Sequence, residues 1–470
     1  MKRAFLYLII LAVVLSTTLP FTRRSSAAEP TKVSHTIIAT TGEAAPSGGS
    51  YLPGSFSTVH LNPRHDVVFD AFVGPPFNTG VFVANEKTVS KIALGTNPDP
   101  AAPSFGFVSD PFITPNGEVV FDVNSIDSYR SDGKTIIPLV RDGDAAPGGG
   151  TLTPNSRDVS DHGDIAYLGF VSGATATQGI FRSDGARTIS IARDDIAPPT
   201  GGTFILLDDV SINDRGQVAF FSAMTGGSAD FGVFRGEGGE LTPVFVTNQI
   251  APGGATFNDF GIPVINRHGQ VATSASLTNS NNGLFVGAGT NAVAIALEGQ
   301  AAPQGGIFRD PTGRHLTFRS LKFNDRGEVA FDSVLTGSPS PIGIFRGDGT
   351  RTTAIALAKT PAPGTTGTFA SFRDFRLLND GRVALIASLT VGVGGVSVSN
   401  NLGIWIGTSD EDLQLVARTG DVIDGKVLTS FPSVRNGLDV NENAVVWVGA
   451  FGPTRSIVLS QILGEDAALL

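Results

Sequence analysis

The chain of 470 residues contains no cysteine and only two tryptophans, two methionines and four tyrosines. Without cysteine it can form neither disulfide bonds nor thiolate metal sites, and it cannot be a lipid-anchored precursor. Charged residues make up only 16% of the chain, and the net charge is −10. Because neutralising phosphates requires clustered Lys and Arg, this balance argues against a nucleic-acid surface.

Long apolar runs are confined to the N-terminus. A basic start precedes an apolar stretch, and small residues at positions 26–28 precede an acidic residue. This layout predicts a secretory signal peptide over residues 1–28. An uncleaved anchor helix is the alternative, because Arg23 and Arg24 follow the apolar stretch. The C-terminus has no run near the length that spans a bilayer, so the sequence predicts a secreted or periplasmic protein without a membrane span in its mature part.

Glycine is abundant, with 58 residues, and so is phenylalanine, with 32. Glycine interleaved with Val, Ile and Phe indicates many short strands joined by tight turns. A recurring string, seen best as "NDRGQVAF" from Asn213 to Phe220, divides residues 29–470 into eight units of about 54 residues. The glycine position of this turn is occupied in turn by His65, Gly117, Gly163, Gly216, Gly269, Gly327, Gly381 and Asn443.

Two further landmarks recur in constant order with the turn. An Ala-Pro step appears in most units, as at Ala251-Pro252, and so does glycine followed by an aliphatic and an aromatic residue, as at Gly232-Val233-Phe234. Each unit contains four strand-like runs, which we name a, b, c and d in chain order. No segment beyond the signal shows a sustained period of 3.6 residues, so helix content should be low.

Four antiparallel strands per repeat of this length predict an all-β fold, a single β-propeller in which each unit is one four-stranded blade. The last unit stops after its c run, whereas an unpaired d-type run, residues 35–46, precedes the first unit. We therefore expect the N-terminal strand to complete the last blade and close the ring, which leaves no free sheet edge. The repeat count fits eight blades best. A seven-bladed propeller would result if the divergent first unit did not form a blade. A β-solenoid fits the sequence less well.

The turn between runs a and b explains the recurring string. Asn-x-x-Gly fits a type I turn followed by a left-handed residue, with the Asn side chain bonded to the backbone two residues on. We expect Asn443, and less readily His65, to adopt the left-handed conformation in place of glycine. The aromatic positions of the b runs, Phe121, Tyr167, Phe220 and Phe331, should be buried between blades.

At these motifs the chain resembles exported bacterial proteins with tandem Asn-x-x-Gly-x-x-Ala-Phe repeats and a choice of C-terminal anchors. The resemblance extends over roughly residues 36–461, and Asn213–Phe220 and Asn324–Phe331 match best. It implies an extracellular or envelope location and no particular activity. The chain departs from the pattern because it lacks a visible C-terminal anchor.

The sequence contains no recognisable catalytic constellation. His162 and His268 precede turn glycines, so we interpret them as polar turn residues. Neither HExxH nor a nucleophile elbow, phosphate-binding loop or EF-hand loop occurs. The sequence thus requires no cofactor and indicates no metal site, while a structural Ca²⁺ ion stays open.

Acidic residues recur after the d runs, at Glu43, Asp99, Asp144, Asp194, Asp195 and Asp421. Converging on one face, they could bind a cation or supply the paired carboxylates of a glycosidase, which lie about 5–10 Å apart. Ordinary solvated loop charge is the simpler interpretation.

Departures from the repeat give the second set of candidates. The segment before the turn of the sixth unit is lengthened, and the b–c loop of the seventh, residues 390–401, is enlarged. In such a blade the d–a and b–c loops emerge on one face, the loop face, and the a–b and c–d turns on the other, the turn face. We therefore predict that both insertions lie on the loop face, with ligand-binding candidates Arg309, Asp310, Arg314, His315, Arg319, Asn400 and Asn401.

Two classes of function remain open at this point. The first is a binding or scaffold propeller for a glycan, peptide or protein partner outside the cytoplasm, acting as a monomer. The second is a hydrolase or lyase acting on extracellular polysaccharide through the loop carboxylates and His315. The missing catalytic constellation favours the first.

Overall fold

A computed structural model describes residues 32–85, 88–97, 104–289, 291–311 and 321–463. The predicted signal peptide, residues 1–28, lies outside these ranges. The described residues form β-strands and no helix, as the absence of a 3.6-residue period predicts. Accordingly, no helix in these ranges is long and apolar enough to cross a membrane.

Eight antiparallel sheets follow one another along the chain and form an eight-bladed β-propeller. Blades 1 and 2 consist of β2 (Ser50–Tyr51), β3 (Val59–Leu61), β4 (Val67–Gly74), β5 (Asn78–Ala84) and β6 (Val89–Leu94), then β7 (Val108–Ile113), β8 (Val119–Val123), β9 (Asp127–Ser131) and β10 (Ile136–Val140). Blades 3 and 4 consist of β11 (Thr151–Val159), β12 (Ile165–Ser172), β13 (Gln178–Ser183) and β14 (Thr188–Arg193), then β15 (Thr203–Ile212), β16 (Val218–Thr225), β17 (Phe231–Gly236) and β18 (Thr242–Val246).

Blades 5 to 7 continue in the same order. They consist of β19 (Phe257–Phe260), β20 (Val264–Ile265), β21 (Val271–Leu277), β22 (Asn282–Gly287) and β23 (Ala292–Leu297), then β24 (Ile307–Asp310), β25 (Lys322–Phe323), β26 (Val329–Thr336), β27 (Ile342–Gly347) and β28 (Thr352–Leu357), then β29 (Phe369–Leu377), β30 (Val383–Leu389), β31 (Leu402–Gly407) and β32 (Gln414–Arg418). A small hairpin of β33 (Val422–Ile423) and β34 (Lys426–Val427) follows, and blade 8 consists of β35 (Leu438–Val440), β36 (Ala444–Phe451), β37 (Thr454–Leu463) and β1 (Lys32–Thr40).

The N-terminal strand closes the ring, as predicted. Strand β1 runs antiparallel to β37 from Lys32 opposite Leu463 to Thr40 opposite Ser456. The hydroxyl groups of Thr40 and Ser456 share a hydrogen bond of 3.0 Å across this pair. The first unit forms a complete blade, so the eight-blade prediction is confirmed and the seven-blade alternative is wrong.

The first strand of each blade lies nearest the axis. These strands contact their counterparts in neighbouring blades, as β35 does with β3, β3 with β7, β11 with β15 and β29 with β35. They therefore line the central channel, and the last strand of each blade lies outermost.

Apolar residues of strands b and c fill the space between the blades. Phe121, Tyr167, Phe220 and Phe331 are at most 1% exposed, which confirms their predicted burial. Phe220 stacks on Phe234 of strand c with 5.9 Å between ring centroids.

This packing explains the glycine of the Gly-aliphatic-aromatic landmark. A Cβ atom at Gly232 would come within 2.7 Å of the Phe234 ring, which folds back over it. The same close approach recurs in strand c at Gly80, Gly179, Gly283, Gly343 and Gly403. Glycine is therefore required in this landmark because the aromatic ring two residues later packs against the backbone of its own strand.

The recurring Asn of the a–b turn links neighbouring blades as well as shaping its own turn. Asn213 Oδ1 accepts the N–H of Arg215 at 3.0 Å, as predicted, and that of Gln217 at 3.0 Å. Its Nδ2 donates to the backbone carbonyl of Asn266 in the next blade at 2.9 Å. The same bond joins Asn62 to Thr114, Asn266 to Asn324, Asn324 to Leu378 and Asn441 to Asn62. These bonds form a chain around part of the turn face.

Asn213→Asp should separate the two roles of this residue. The carboxylate keeps the acceptor for the turn N–H groups but cannot donate to the buried Asn266 carbonyl, so we expect a loss of about 1–3 kcal/mol in the free energy of unfolding. Chemical denaturation measures it. Asn279→Asp is the control, because Asn279 is exposed and its Oδ1 accepts the N–H of Asn281 in its own loop; an equal effect at both positions would contradict the interblade bond as the cause.

Two turn predictions had different outcomes. His65 adopts φ 64°, and the turn glycines are left-handed as well, with Gly216 at φ 71°. The prediction for Asn443 is wrong, because this residue does not have positive φ. The last turn is one residue shorter: Asn441 N–H donates to the carbonyl of Ala444, whereas Asn213 N–H donates to that of Gln217. The shorter turn leaves no position for the left-handed residue.

The insertion of the sixth unit is also placed differently from the prediction. Strands β24 and β25 both pair with β26, Asp310 opposite Val334 and Lys322 opposite Ala330. The extra residues therefore interrupt the inner strand of blade 6 midway and do not belong to a d–a loop. The insertion in blade 7 does connect strands b and c, as predicted, between Leu389 and Leu402.

Candidate functional site

A polar cavity of about 560 Å³ opens beside the axis at blades 8, 1, 2 and 3. Its walls are inner-strand residues, including His60, Phe112 and Arg157, and its rim includes Ser125 from the b–c loop of blade 2 and Arg435 from the connection into blade 8. Since b–c loops and d–a connections emerge on the loop face, the cavity opens there. We call it the loop-face pocket.

Irregular inner strands shape this pocket. The pairing of β7 with β8 shifts register between Ser109 and Phe112, and Asp110 lies within the shift at φ 48°. Strand β11 shifts register between Pro154 and Arg157. Such bulges re-aim side chains and are common beside binding sites. Here they bring Asp110 and Arg157 to the pocket wall.

Two ion pairs set the electrostatics of the pocket. Arg157 pairs with Asp122, and the exposed fractions of the two side chains are 12% and 16%. Arg157 Nη2 also donates to the backbone carbonyl of Asp110 at 2.9 Å. At the rim, Arg435 Nη1 lies 2.5 Å from Asp110 Oδ2, and the Arg435 side chain is 69% exposed. Each carboxylate of the two pairs is thus balanced by a guanidinium group.

A histidine–aspartate pair lies at the floor. His60 Nδ1 is 3.3 Å from Asp439 Oδ2, which also accepts the N–H of Leu61 at 2.9 Å. Burial by itself would raise the pKa of Asp439, but the hydrogen bond and charge of His60 and the charge of Arg376 hold it below its usual range. The His60 ring also packs on Phe112 with 5.5 Å between centroids. His60 is therefore fixed in position by both neighbours.

Asp158 has a different environment in the same pocket. Its Oδ2 accepts the N–H of Ile212 in the next blade at 2.9 Å. Burial raises the pKa of Asp158, and this hydrogen bond opposes the rise. The carboxyl therefore holds blades 3 and 4 together besides lining the pocket.

Asp158 and Asp439 belong to a ring around the channel, two positions before each a–b turn. The ring consists of His60, Phe112, Asp158, Ser211, Val264, Lys322, Arg376 and Asp439. Ser211 Oγ accepts the N–H of Ile265, just as Asp158 and Asp439 accept N–H groups of their next blades. Burial and the charge of Arg376 lower the pKa of Lys322 to about 8, while Asp374 and Asp439 oppose this shift. The ring thus combines structural cross-links with charge.

The acidic candidates after the d strands lie in tight turns. Glu43 Oε2 accepts the N–H of Thr40 at 2.9 Å, Asp144 Oδ2 that of Arg141 at 2.8 Å, and Asp421 Oδ2 that of Arg418 at 2.6 Å. Asp194 accepts the N–H of Thr177, and Asp195 pairs with Arg193. Asp99 lies outside the described residues. A repeated carboxylate–backbone bond accounts for three of these positions as turn formers.

The candidates at the insertions have local partners as well. Arg309, 70% exposed, lies 3.4 Å from Glu298, and the backbone carbonyl of Asp310 accepts the Ser333 hydroxyl. In blade 7, Asn400 Oδ1 accepts a hydrogen bond from the backbone N–H of Ser397. The backbone carbonyl of Asn401 accepts a hydrogen bond from the N–H of Leu389. Arg314, His315 and Arg319 lie outside the described residues. None of the described candidates lines the loop-face pocket, and the roles proposed for the insertion residues stay predictions.

The pocket residues were missed for a physical reason. Asp110 and Arg435 are far apart in sequence, and only ring closure brings blades 8 and 2 near each other. The sequence nonetheless contained a signal for the pocket. His60 and Asp158 lie two positions before their a–b turns, where blade 5 has the apolar residue Val264, so the fold does not require a polar side chain at this position. Among the described residues, no group of three or more His, Asp and Glu side chains is arranged to hold a metal ion.

Comparison with known proteins places the chain in a family. The model of a family of unknown function, DUF7453, matches residues 122–457, so the chain belongs to that family. No curated protein matches it. The description of DUF7453 does not mention Asn-x-x-Gly-x-x-Ala-Phe repeats. The resemblance to exported proteins with those repeats therefore stays a prediction.

Solved structures with a similar chain course have low sequence identity. A puromycin-hydrolyzing peptidase of Mycobacterium tuberculosis has 14% identity and a TM-score of 0.41, over 91% of this chain and 58% of that one. The polysaccharide lyase Uly1 has 8% identity and a TM-score of 0.38, over 83% and 100%. A mutant sialidase of Trypanosoma rangeli has 9% identity and a TM-score of 0.28, over 92% and 59%.

The match covers 58% of the length of the peptidase and 58% of the length of a puromycin hydrolase, so this chain spans less than two thirds of either protein. Activity depends on the residues of a site and not on the fold that carries it. These likenesses therefore carry no argument about what the chain does.

Proposed function

We propose that this member of DUF7453 is a binding module acting outside the cytoplasm, and that its loop-face pocket holds an uncharged glycan. The charge balance of the pocket carries the proposal. Asp122 is paired with Arg157 and Asp110 with Arg435, so the pairs contribute fixed donors and acceptors with no net charge. Sugar hydroxyl groups donate and accept together, which suits such pairs.

The dimensions and lining of the pocket agree with this ligand. Its volume of about 560 Å³ lies within the range of roughly 300–1,000 Å³ typical of small-molecule sites. Phe112 and Ile126 supply apolar surface, while Asn155 and Ser156 add exposed polar groups. The acidic chain would repel a strongly anionic polymer, which favours neutral sugars.

Arg435→Ala tests the pocket directly. This variant removes an exposed charged donor from the rim, and we expect at least about tenfold weaker binding of glycans, since a charged hydrogen bond contributes about 1.5–3 kcal/mol. An array of neutral and uronate oligosaccharides identifies the sugars bound, and titration calorimetry measures affinity.

Arg309→Ala is the matched control, because its side chain is equally exposed and also pairs with a carboxylate. Loss of binding with Arg309→Ala and not with Arg435→Ala would move the site to blade 6. If no neutral glycan bound the intact chain, the proposal would be wrong.

A second candidate function rests on His60. This histidine lines the pocket and is oriented by Asp439, the arrangement required of a general base. A hydrolase or lyase acting on extracellular polysaccharide would then share the binding site. Incubation of bound oligosaccharides, followed by chromatography, decides between the two: cleavage that His60→Gln abolishes while binding persists would establish the enzyme, and intact oligosaccharides would establish the binding module.

A further inference from the structure

Three phenylalanine side chains form an exposed cluster next to the loop-face pocket. Phe77 is 68% exposed and Phe107 is 42% exposed. Phe72 stacks on Phe77 with 5.7 Å between centroids and lies 6.5 Å from Phe107. We call Phe72, Phe77 and Phe107 the aromatic ledge. Clustered exposed apolar surface of this kind on a soluble protein marks a binding site.

The ledge is held in place by the chain around it. Phe77 follows Pro75 and Pro76 in the b–c loop of blade 1, and the proline rings restrict that backbone. Phe107 precedes strand β7, where its N–H donates to Asn124 Oδ1 at 3.0 Å and its carbonyl accepts the Asn124 N–H at 2.8 Å. The rings are thus presented on ordered backbone, which lowers the entropy cost of binding.

The ledge is continuous with the pocket. A second cavity of about 240 Å³ is lined by Phe72 and Phe107 and shares Asp110, Ser125 and Arg435 with the loop-face pocket. Its wall contains Asp70, whose carboxylate accepts the N–H groups of residues 57 and 58 and the Ser57 hydroxyl. Asp70 is therefore occupied in fixing this wall, and Phe72 and Phe107 supply apolar surface to the second cavity.

We propose that the aromatic ledge is a second sugar subsite, so that the ligand is a chain of several uncharged sugars running from the pocket across the ledge. This inference rests on the proposed function. The ring faces carry partial negative charge and attract the C–H groups of a flat sugar face. Arg435, the cationic group that the second cavity shares with the pocket, is paired with Asp110, so this pair contributes no net charge that would attract an anionic sugar. A neutral glycan chain fits both parts of the continuous groove.

The experiment measures affinity against chain length. Residues 29–470, the chain without its predicted signal peptide, are titrated with cello-, xylo- and manno-oligosaccharides of one to six sugars. We expect at least one series in which the dissociation constant falls about tenfold or more between one and four sugars. Phe77→Ala and Phe107→Ala should each remove most of this gain while the affinity for one sugar stays within about twofold. Phe170→Ala, an exposed phenylalanine of blade 3 at 46% exposure, is the matched control and should leave the gain intact.

Each other outcome contradicts the inference in a distinguishable way. Binding that does not strengthen with chain length, or a gain that survives both ledge substitutions, would leave the pocket proposal standing and remove the subsite. A dimer in sedimentation that Phe77→Ala dissociates, with glycan affinity unchanged, would assign the ledge to a second copy of the chain. If neither single sugars nor any series bound, the proposed function itself would fail.

Discussion

Deleting strand β1, residues 32–40, should lower the melting temperature by about 10 °C or more and promote aggregation. The strand makes eight residue pairs with β37. Val33 and Ile37 pack on the cluster around Trp447, and Ala39 packs on the opposite cluster with Tyr51. Each backbone hydrogen bond between β1 and β37 contributes about 1 kcal/mol, so the deletion should strongly reduce the free energy of unfolding. It also leaves β37 as an unpaired edge. Thermal unfolding and size-exclusion chromatography measure both effects.

A circular permutant is the control for this deletion. Lys32 lies opposite Leu463, so a two-residue Asn-Gly hairpin turn can join them, with new termini opened in the exposed turn at Gly48 and Gly49. This chain retains β1 at another place in the sequence, and we expect a melting temperature near that of the intact protein. An unchanged melting temperature in the deletion variant would contradict closure by β1.

Arg157→Met should have the second-largest effect, a loss of about 3 kcal/mol in the free energy of unfolding, because the largely buried Asp122 carboxylate keeps the hydrogen bond from Ser128 but loses its ion-pair partner. The substitution also frees the backbone carbonyl of Asp110, which Arg157 now binds. The loss measured by denaturant unfolding should be accompanied by loss of glycan binding.

The double variant Arg157→Met with Asp122→Asn identifies the cause. Without the buried negative charge, we expect the double variant to recover about half of the lost stability or more, while glycan binding stays lost. Equal stability in the single and double variants would show that the unpaired charge is not responsible.

Much of the fold could be predicted because each blade is built from neighbouring residues. The turn from Asn213 to Gln217 and the glycine beneath Phe234 are local features with local causes, so they recur wherever the blade recurs. The last turn escaped prediction because Asn441 and Asn443 both suit a turn, and only the register of β35 with β36 shows which of them takes the role of Asn213.

The site could not be found in the same way. Asp110 meets Arg435 and His60 meets Asp439 only because the ring closes, and no pattern within one unit records these partners. Loop length drew attention to blades 6 and 7, but length measures tolerance to insertion as much as function. The charged residues of the inner strands were the more useful signal, since a channel wall built of Val and Ile would fold as well.

Ring closure also sets the order in which the protein can mature. Blades 1 to 7 need only contacts within one or two units, so they can form while the chain is still being made. Blade 8 pairs residues more than four hundred positions apart, and β1 must wait until β37 has emerged. Such distant contacts form slowly. A growing chain therefore carries an unpaired N-terminal strand until its last strand has been made, and chaperones would have to shield that strand for this interval.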